Sequence, residues 1–577
     1  MKSSQEIPSE IVLLFNQLTD KWKKTLFNKS QEYFKNEMKN DLISWYKFLN
    51  SLISKHDSLP QEIWTVLIKT AWLLTDIEFF KKHEHIINTE LTNPIALIYY
   101  GIAKTEFFNF NEGFKLIVQN IDILNEKNDW LGLLEVSTAY ALILHNSEKI
   151  DQLISFKKQI DEIFEEKFHK NKIYQHLTIP TTQLIHKKEK TTTIDEELDY
   201  LTIAIEGKDN LIIGLTYIYY ANIQKDSNYV DNMNKAIYHF KKINAKLRLL
   251  IAYTNIASHY AMKQSFEMFQ KYTDEAINLA DEISPEEKSS QHLYPYLMKA
   301  YIELRMGHLH SSETLFKTVI IIAEKYSSLI YLIKSYHGLA QVYFLLNQNK
   351  LAIDQAENAF SYCTNFKDTY FYNYYLIEHI DLLIELNHLD NIKTYINEID
   401  SYILDQDSCI QIYYNFVKSK FELKKRNIGT AKEIISTLIP ELSKCTKLNS
   451  TILLEYGEIL LHEFRLSEDH DLLLEAEKVI ENGLESIEDI PSRIKGNYLS
   501  AILFTAQKRY DEAEELLESL ISNTKESVPR FLILAEKLLD NIRDTRSAGT
   551  PVSPMSNIKE VLQYLQEAKS VTESQPR

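Results

Sequence analysis

Helix-breaking residues are scarce in this chain. Glycine and proline number 12 each in 577 residues, about 4 % together, where globular proteins average about 12 %. A β-sandwich or barrel needs a turn every ~8–12 residues and is excluded by that shortage. Glycine-rich phosphate cradles are missing too: no GxxxxGK[ST] or GxGxxG string occurs, which argues against a nucleotide-binding α/β enzyme. Cysteine is limited to Cys363, Cys409 and Cys445, with no CxxC. That pattern predicts neither a structural zinc nor a disulfide framework, and fits a reducing compartment. Long apolar runs are absent: stretches such as Val319–Ala323 fall far short of the ~20 residues that span a bilayer. The N-terminus has no basic region followed by an apolar one, so the reading is of a soluble cytoplasmic protein with no membrane role. Positive charge is also in deficit. Lys plus Arg is 64 against 81 Asp plus Glu, a net charge of −17. Nucleic-acid binding needs a basic footprint and is disfavoured. The basic strings, Lys23-Lys24, Lys81-Lys82, His186–Lys190 and Lys424-Lys425-Arg426, read as solvated turns.

What the chain does contain is a repeat. A small residue, a turn, and then apolar residues 12, 16 and 19 positions on recur through the central segment. The first position falls at Ala257, Ala300, Ala340, Ile380, Ser419 and Ala501; position +19 falls at Ala276, Val319, Ala359, Ile399, Leu438 and Leu520. The period is about 40, and the double step before Ala501 contains a degenerate unit around Ile452–Leu484. Each unit reads as two helices. In the last clear one, Tyr498–Gln507 ends helix A, Lys508-Arg509-Tyr510 turns the chain, and Asp511–Ser522 forms helix B with Ala513, Leu517 and Leu520 on one face. Asp511 and Glu512 suit the positive end of helix B.

These residues resemble the tetratricopeptide repeat. Tyr253, Tyr296 and Tyr336 lie four residues before Ala257, Ala300 and Ala340. Tyr260 and Tyr343 take the second aromatic position, Gly307 the turn glycine, and Ala352, Ala431 and Ala513 the small position of helix B. Tyr510-Asp511-Glu512-Ala513 matches the commonest turn wording of that family. Two departures stand out: the period is about 40 rather than 34, and no unit carries the proline that closes helix B. The resemblance covers about residues 210–523. Upstream, Gly101, Gly113 and Ile117 fit one unit, and Ala139 starts another. It implies an all-α fold, a right-handed α-solenoid of stacked antiparallel helix pairs forming a TPR-like superhelix, and an elongated particle.

The remaining organisation is read around that repeat. Residues 1–90 are a helical, aromatic-rich N-terminal region and residues 91–180 hold degenerate TPR-like helix pairs. Residues 181–196 form a polar loop or hinge, and 197–544 the solenoid with a terminal helix. Residues 545–556, with Gly549, Pro551 and Pro554, form a flexible linker. Residues 557–577 are a short amphipathic helix, with Ile558, Val561, Leu562 and Leu565 on one face, and a polar tail. That helix is expected to dock on the last layer near Phe531, Leu532 and Leu538, or else to serve as a recognition peptide in another molecule's groove.

No catalytic constellation is legible. His83-Glu84-His85 and His308-Leu309-His310 cannot grip one ion from a helix, where i and i+2 point about 200° apart. His462-Glu463-Phe464 lacks the second histidine of an HExxH site. The cysteines have no His or Asp partner, and paired carboxylates such as Glu165-Glu166 and Glu514-Glu515 belong to solvated faces. No enzyme activity, metal or cofactor is expected, and no small-molecule substrate. The excess is in tyrosine, 35 residues with a dense run at Tyr370–Tyr375, which serves either as core filler or as a binding surface. A stack of helix pairs offers a concave groove lined by helix A. The resemblance therefore implies a non-enzymatic protein- or peptide-binding scaffold or adaptor. The alternative is a ligand- or peptide-sensing regulator, and no attached NTPase or helix-turn-helix is legible to support it. Carried over by phase, the groove positions are Tyr294, Tyr301, Arg305, Lys334, His337, Gln341, Tyr374, Asp381, Glu385, Tyr413, Lys420 and Lys424. Their charge runs from acidic at 381–385 to basic at 420–424, which would suit a ligand carrying both signs.

Overall fold

A computed structural model describes residues 39–548, apart from 54–58, 147–149, 168–193 and short stretches at 208, 225–227, 264, 287, 367–369, 401–407, 446–447, 486, 488 and 525–527. The expected polar loop at 181–196 falls largely outside the described residues, as do most of the linker and the whole C-terminal amphipathic helix.

Among the described residues the fold is all-α. In chain order the helices are α1 (Lys39–Ile53), α2 (Gln61–Leu74), α3 (Ile77–Glu90), α4 (Pro94–Phe107), α5 (Phe110–Glu126), α6 (Trp130–Asn146), α7 (Ile150–Glu166), α8 (Ile194–Gly207), α9 (Asn210–Gln224), α10 (Tyr229–Lys242), α11 (Lys246–Met262) and α12 (Phe266–Ile283). They continue as α13 (Leu293–Arg305), α14 (Leu309–Lys325), α15 (Leu329–Leu345), α16 (Asn349–Cys363), α17 (Tyr370–Glu385), α18 (Ile392–Asp400), α19 (Ser408–Lys424), α20 (Ile428–Leu438), α21 (Asn449–Ser467), α22 (Asp471–Glu485), α23 (Ile490–Ala506), α24 (Tyr510–Thr524) and α25 (Pro529–Ala548). None is long and apolar enough to cross a membrane.

The chain forms two compact units. One comprises residues up to Ala257 together with Asp274–Gln291; the other comprises Ser258–Thr273 and the chain from His292 onward. Each is a stack of antiparallel helix pairs. In the first, α4 packs on α5, α6 on α7 and α9 on α10. Its centre carries a buried ion pair, Arg248 Nη2 to Glu106 Oε1 at 2.6 Å. Glu106 also accepts from Trp72 Nε1 at 2.7 Å, which joins α2, α4 and α11. In the second unit the pairs are α13–α14, α15–α16, α17–α18, α19–α20, α21–α22 and α23–α24, and α25 follows them.

The pairs repeat in the manner of tetratricopeptide units, and the reason lies at the crossing of helices A and B. Ala257, Ala300, Ala340, Ile380, Ser419 and Ala501 are all 0 % exposed. Their +12 partners in the second unit, Ser312, Ala352, Ile392, Ala431 and Ala513, are equally buried. Two crossings are close enough for a side chain to bond the facing backbone: Ser312 Oγ donates to Ala300 O at 2.8 Å, and Ser419 Oγ to Ala431 O at 2.9 Å. In the first unit the same two positions are Gly101 and Gly113, so near that a Cβ on Gly113 would lie 2.5 Å from Gly101 O. In the degenerate unit a large residue, Leu461, stands where the alanine would. Gly457, one turn earlier, gives the room, with Ile480 packed over it.

The turns keep the same phase. Gly307, Asn347, Asn387, Arg426, Glu468 and Lys508 have left-handed φ between 56° and 76°, each closing helix A. After five of them the next N–H reaches back five positions, as in His308 N to Glu303 O and Gln348 N to Tyr343 O, both 2.8 Å. This is the Schellman closure of a helix C-terminus. It accepts asparagine readily and tolerates Arg426 or Lys508 at a cost.

The cysteine expectation is corrected. Cys409 and Cys445 form a disulfide across a Cα separation of 5.1 Å. The antiparallel α19–α20 hairpin returns the chain to the end from which it started, which brings these two residues together despite the 36 positions between them. Cys363 is buried.

Gly338 is the tightest helical position of the second unit, because a Cβ there would overlap the ring of Phe316. Gly338→Ala is expected to destabilise the protein by about 1–3 kcal/mol through overpacking, measured by denaturant unfolding. Adding Phe316→Leu should recover part of the loss, and strict additivity of the two changes would contradict the packing described.

Candidate functional site

The second unit places the A helices α13, α15, α17, α19, α21 and α23 side by side. Positions six before and one after the crossing residue then form continuous rows. Lys334 follows Tyr294 by 40 residues, Tyr374 follows by 40 more and Tyr413 by 39; Tyr301, Gln341, Asp381 and Lys420 make the second row. A one-period offset therefore becomes a spatial contact. Tyr374 and Tyr413 have ring centroids 6.2 Å apart, and Tyr413 OH donates to Asp381 Oδ2 at 3.3 Å.

Most of the residues expected from the sequence meet in two groups. In the first, Tyr301 OH donates to Lys334 O at 3.0 Å, and Gln341 Nε2 lies 3.5 Å from His337 Nδ1. The second is ionic. Lys420, only 5 % exposed at its side chain, pairs with both Asp381 and Glu385. Three residues stand apart from both. Tyr294 OH shares a 2.6 Å hydrogen bond with Ser258 Oγ, and its ring meets Tyr331. Arg305 is exposed, with its guanidinium 5.7 Å above the Phe266 ring. Lys424 forms no ion pair with any described residue. The acidic and basic patches read from the sequence are consequently not presented as a gradient: Asp381 and Glu385 are taken up by Lys420.

Several inner residues escaped the sequence reading. Glu378 Oε2 lies 3.5 Å from His337 Nδ1. Lys495 Nζ lies between Glu455 at 3.4 Å, Glu458 at 3.6 Å and Glu385 at 4.0 Å. His462, Arg465 and Tyr498 belong to the same neighbourhood. The signal that could have found them is the period. Glu455 and Lys495 continue the first row by 42 and 40 residues; the degenerate unit had no alanine from which to count Glu455 and Glu458, whereas Lys495 lies six before Ala501 and was countable from it.

Burial and pairing set the protonation of these groups. Burial alone would raise Glu385; Lys420, Lys495 and Lys424 outweigh it and hold the carboxyl well below its usual value. Glu455 is raised, since burial and Glu458 prevail over Lys495. Burial lowers Lys334, with Glu378 opposing only in part. It also pushes Arg465 down to about 10 and His462 down to about 4. The Cys363 thiol is pushed up to about 12 by burial and by the charge of Glu378, which removes it as a nucleophile at neutral pH. No group of three His, Cys, Asp or Glu side chains among the described residues is placed to hold a metal ion.

The last helix reaches back across this unit. Arg530 on α25 donates to Asn349 Oδ1 at 2.9 Å and Glu385 O at 3.4 Å, and its guanidinium sits 3.9 Å above Phe344. Leu538, Leu539 and Ile542 share one apolar cluster with Leu339 and Leu382. The start of α25 thus lies against α15, α16 and the end of α17.

No protein family matches the sequence, and no curated protein does. Solved structures with similar helical arrangements include aspartyl phosphate phosphatase F from Bacillus subtilis, 12 % identical over 60 % of this chain and 93 % of that one, TM-score 0.38. Yeast Tom70 is 13 % identical over 94 % and 99 %, TM-score 0.31. The APC/C hetero-tetramer Cut9–Hcn1 is 12 % identical over 93 % and 99 %, TM-score 0.35.

Removing one partner of a buried ion pair leaves an uncompensated charge. Lys420→Met is accordingly expected to cost about 3 kcal/mol in denaturant unfolding. The pH dependence follows from the lowered Glu385. Its contribution is fully present above the ordinary carboxylate pKa of about 4.3 and is lost as pH falls through the lower folded value. The gap between parent and Lys420→Met should narrow on acidification below about pH 4. A gap constant down to pH 2.5 would show that Lys420 acts by packing alone.

Proposed function

We propose that the inner face of the second unit is a protein- or peptide-binding surface and that the chain is a non-enzymatic scaffold or adaptor. The observation that carries this reading is the lining itself. Tyr294, Tyr301, Lys334, His337, Tyr374, Tyr413, Glu458 and Tyr498 stand on successive A helices in repeat register. They supply rigid aromatic area of the kind enriched at protein interfaces, with the Tyr294, Tyr301 and Tyr413 hydroxyls held by Ser258, the Lys334 carbonyl and Asp381. Repeating stations one period apart suit an extended polymer better than a compact metabolite, because each helix pair adds one more contact row. The inner carboxylates Asp381, Glu385, Glu455 and Glu458 are taken up by Lys420 and Lys495, and the buried thiol is held protonated. Neither leaves a poised nucleophile or acid/base pair.

A photocrosslinking residue, p-benzoylphenylalanine, placed at Tyr374 tests this against the same residue at Ile321, an exposed position on α14. Irradiation in the producing cells should join Tyr374 to a segment of another polypeptide, identified by mass spectrometry, and leave Ile321 without that product. Crosslinks to the same polypeptide from Ile321 and none from Tyr374 would put the interface on the outer helices and overturn the reading.

A further inference from the structure

The Cys409–Cys445 bond stands at the opposite end of α19 from Lys420. Cys409 is the second residue of that helix, and Cys445 follows α20 after a short 3₁₀ segment, Ile439–Lys444. Leu448 N bonds back to Cys445 O at 3.1 Å just before α21 begins. The disulfide therefore fastens the start of α19 to the approach to α21.

The fold does not need the bond to bring its sulfurs together. Cys445 is 3 % exposed in an apolar cluster with Ile412, Leu438, Leu442 and Ile452, and Cys409 packs against the same cluster. That packing holds the two Cα atoms 5.1 Å apart, a separation that accepts a disulfide without backbone movement. A chain with so large a core does not depend on one cross-link to fold, unlike small disulfide-dense domains. Cys409 is half-buried, which leaves one sulfur open to a small reagent and shields the other. The third cysteine stays out of the exchange. Cys363 is buried, and its thiol, pushed up to about 12, supplies almost no thiolate at neutral pH.

We infer that Cys409 and Cys445 form a reversible thiol–disulfide site, closed by low-molecular-weight disulfides and opened by the corresponding thiols, that sets how firmly the starts of α19 and α21 are held together. In closing, the Cys409 thiolate attacks one sulfur of a small disulfide RSSR, and RS⁻ leaves and takes up a proton. The Cys445 thiolate then attacks the Cys409 sulfur of the mixed disulfide and expels the second RS⁻. The two protein thiols are oxidised, RSSR is reduced to two RSH, and the protons given up by the cysteines end on them. Opening is the reverse, driven by excess RSH. The consequence reaches the inner face along α19. Tyr413 stands one turn beyond Cys409 on the same side of the helix and meets Tyr374 and Asp381. Lys420, eleven residues past Cys409 or about 16 Å, keeps the other end of α19 on Asp381 and Glu385 in either state.

The full chain, equilibrated in mixtures of reduced and oxidised glutathione, then alkylated and digested, gives the bonded fraction by mass spectrometry. That fraction should rise from mostly open to mostly bonded as the mixture becomes oxidising, and fall again when the ratio is reversed. Hydrogen–deuterium exchange should separate the two forms in peptides covering 408–414 and 448–454, with the bonded form exchanging about tenfold more slowly there. Cys409→Ser should exchange alike in every mixture. Cys409→Ala takes its place if circular dichroism shows the serine variant unfolded, and the two forms of the parent decide the matter if neither variant is helical. Alkylation of both cysteines in every mixture would overturn the inference by denying the pairing. A bond that persists in reduced glutathione alone would overturn it by making the disulfide a permanent staple. A reversible bond with equal exchange in both forms would overturn the effect on α19 and α21.

Discussion

Everything in the second unit follows from how closely helix A can approach helix B. An alanine or serine at the crossing lets the two backbones come near enough for Ser312 to bond Ala300 O and Ser419 to bond Ala431 O. That approach fixes the rotation of each A helix about its own axis. Rotation in turn decides which residues face inward, since one residue of error turns the set by about 100°. With the crossing repeated every 39–43 residues, neighbouring A helices present equivalent positions to one another. Tyr374 meets Tyr413, and Lys420 meets Asp381, as a consequence.

The inner charges illustrate what such registration permits. A lysine taken from water costs several kcal/mol unless anions and hydrogen bonds replace the lost hydration. Lys420 and Lys495 are each surrounded by carboxylates from adjacent helices, an arrangement that one misphased helix pair would disrupt. The network therefore reports on the stacking of four consecutive A helices, α17, α19, α21 and α23. Arg530, bonded to the carbonyl end of α17 and to Asn349, extends the dependence to α25.

Much of this was legible before any coordinates. The crossing alanines, the turn after helix A and the boundaries of the last pair follow from spacing: the sequence places helix B at 511–522, and α24 spans Tyr510–Thr524. Phase alone brought Tyr301, Lys334, His337, Asp381 and Lys420 onto one face. Pairing is a different matter. Whether Asp381 faces a ligand or Lys420 depends on side-chain reach between helices 39 residues apart, which periodicity cannot express. Glu455 and Glu458 escaped notice because Leu461 replaces the marker alanine and Gly457 supplies the room one turn earlier; Lys495, six before Ala501, was in phase but its partners were not. The Cys409–Cys445 disulfide escaped because spacing rules address short motifs, while this pair is brought together by a whole hairpin.

The central claim is that residues one repeat apart face each other across neighbouring A helices. A double-mutant cycle between Glu455 and Lys495, forty positions apart, measures this most directly. Unfolding free energies of the parent, Glu455→Gln, Lys495→Met and the double variant should give a favourable coupling on the order of 1–3 kcal/mol, as expected of buried residues in contact. A coupling indistinguishable from zero would mean that the two side chains do not meet. The registration of the inner face, and with it the binding surface proposed here, would then be wrong.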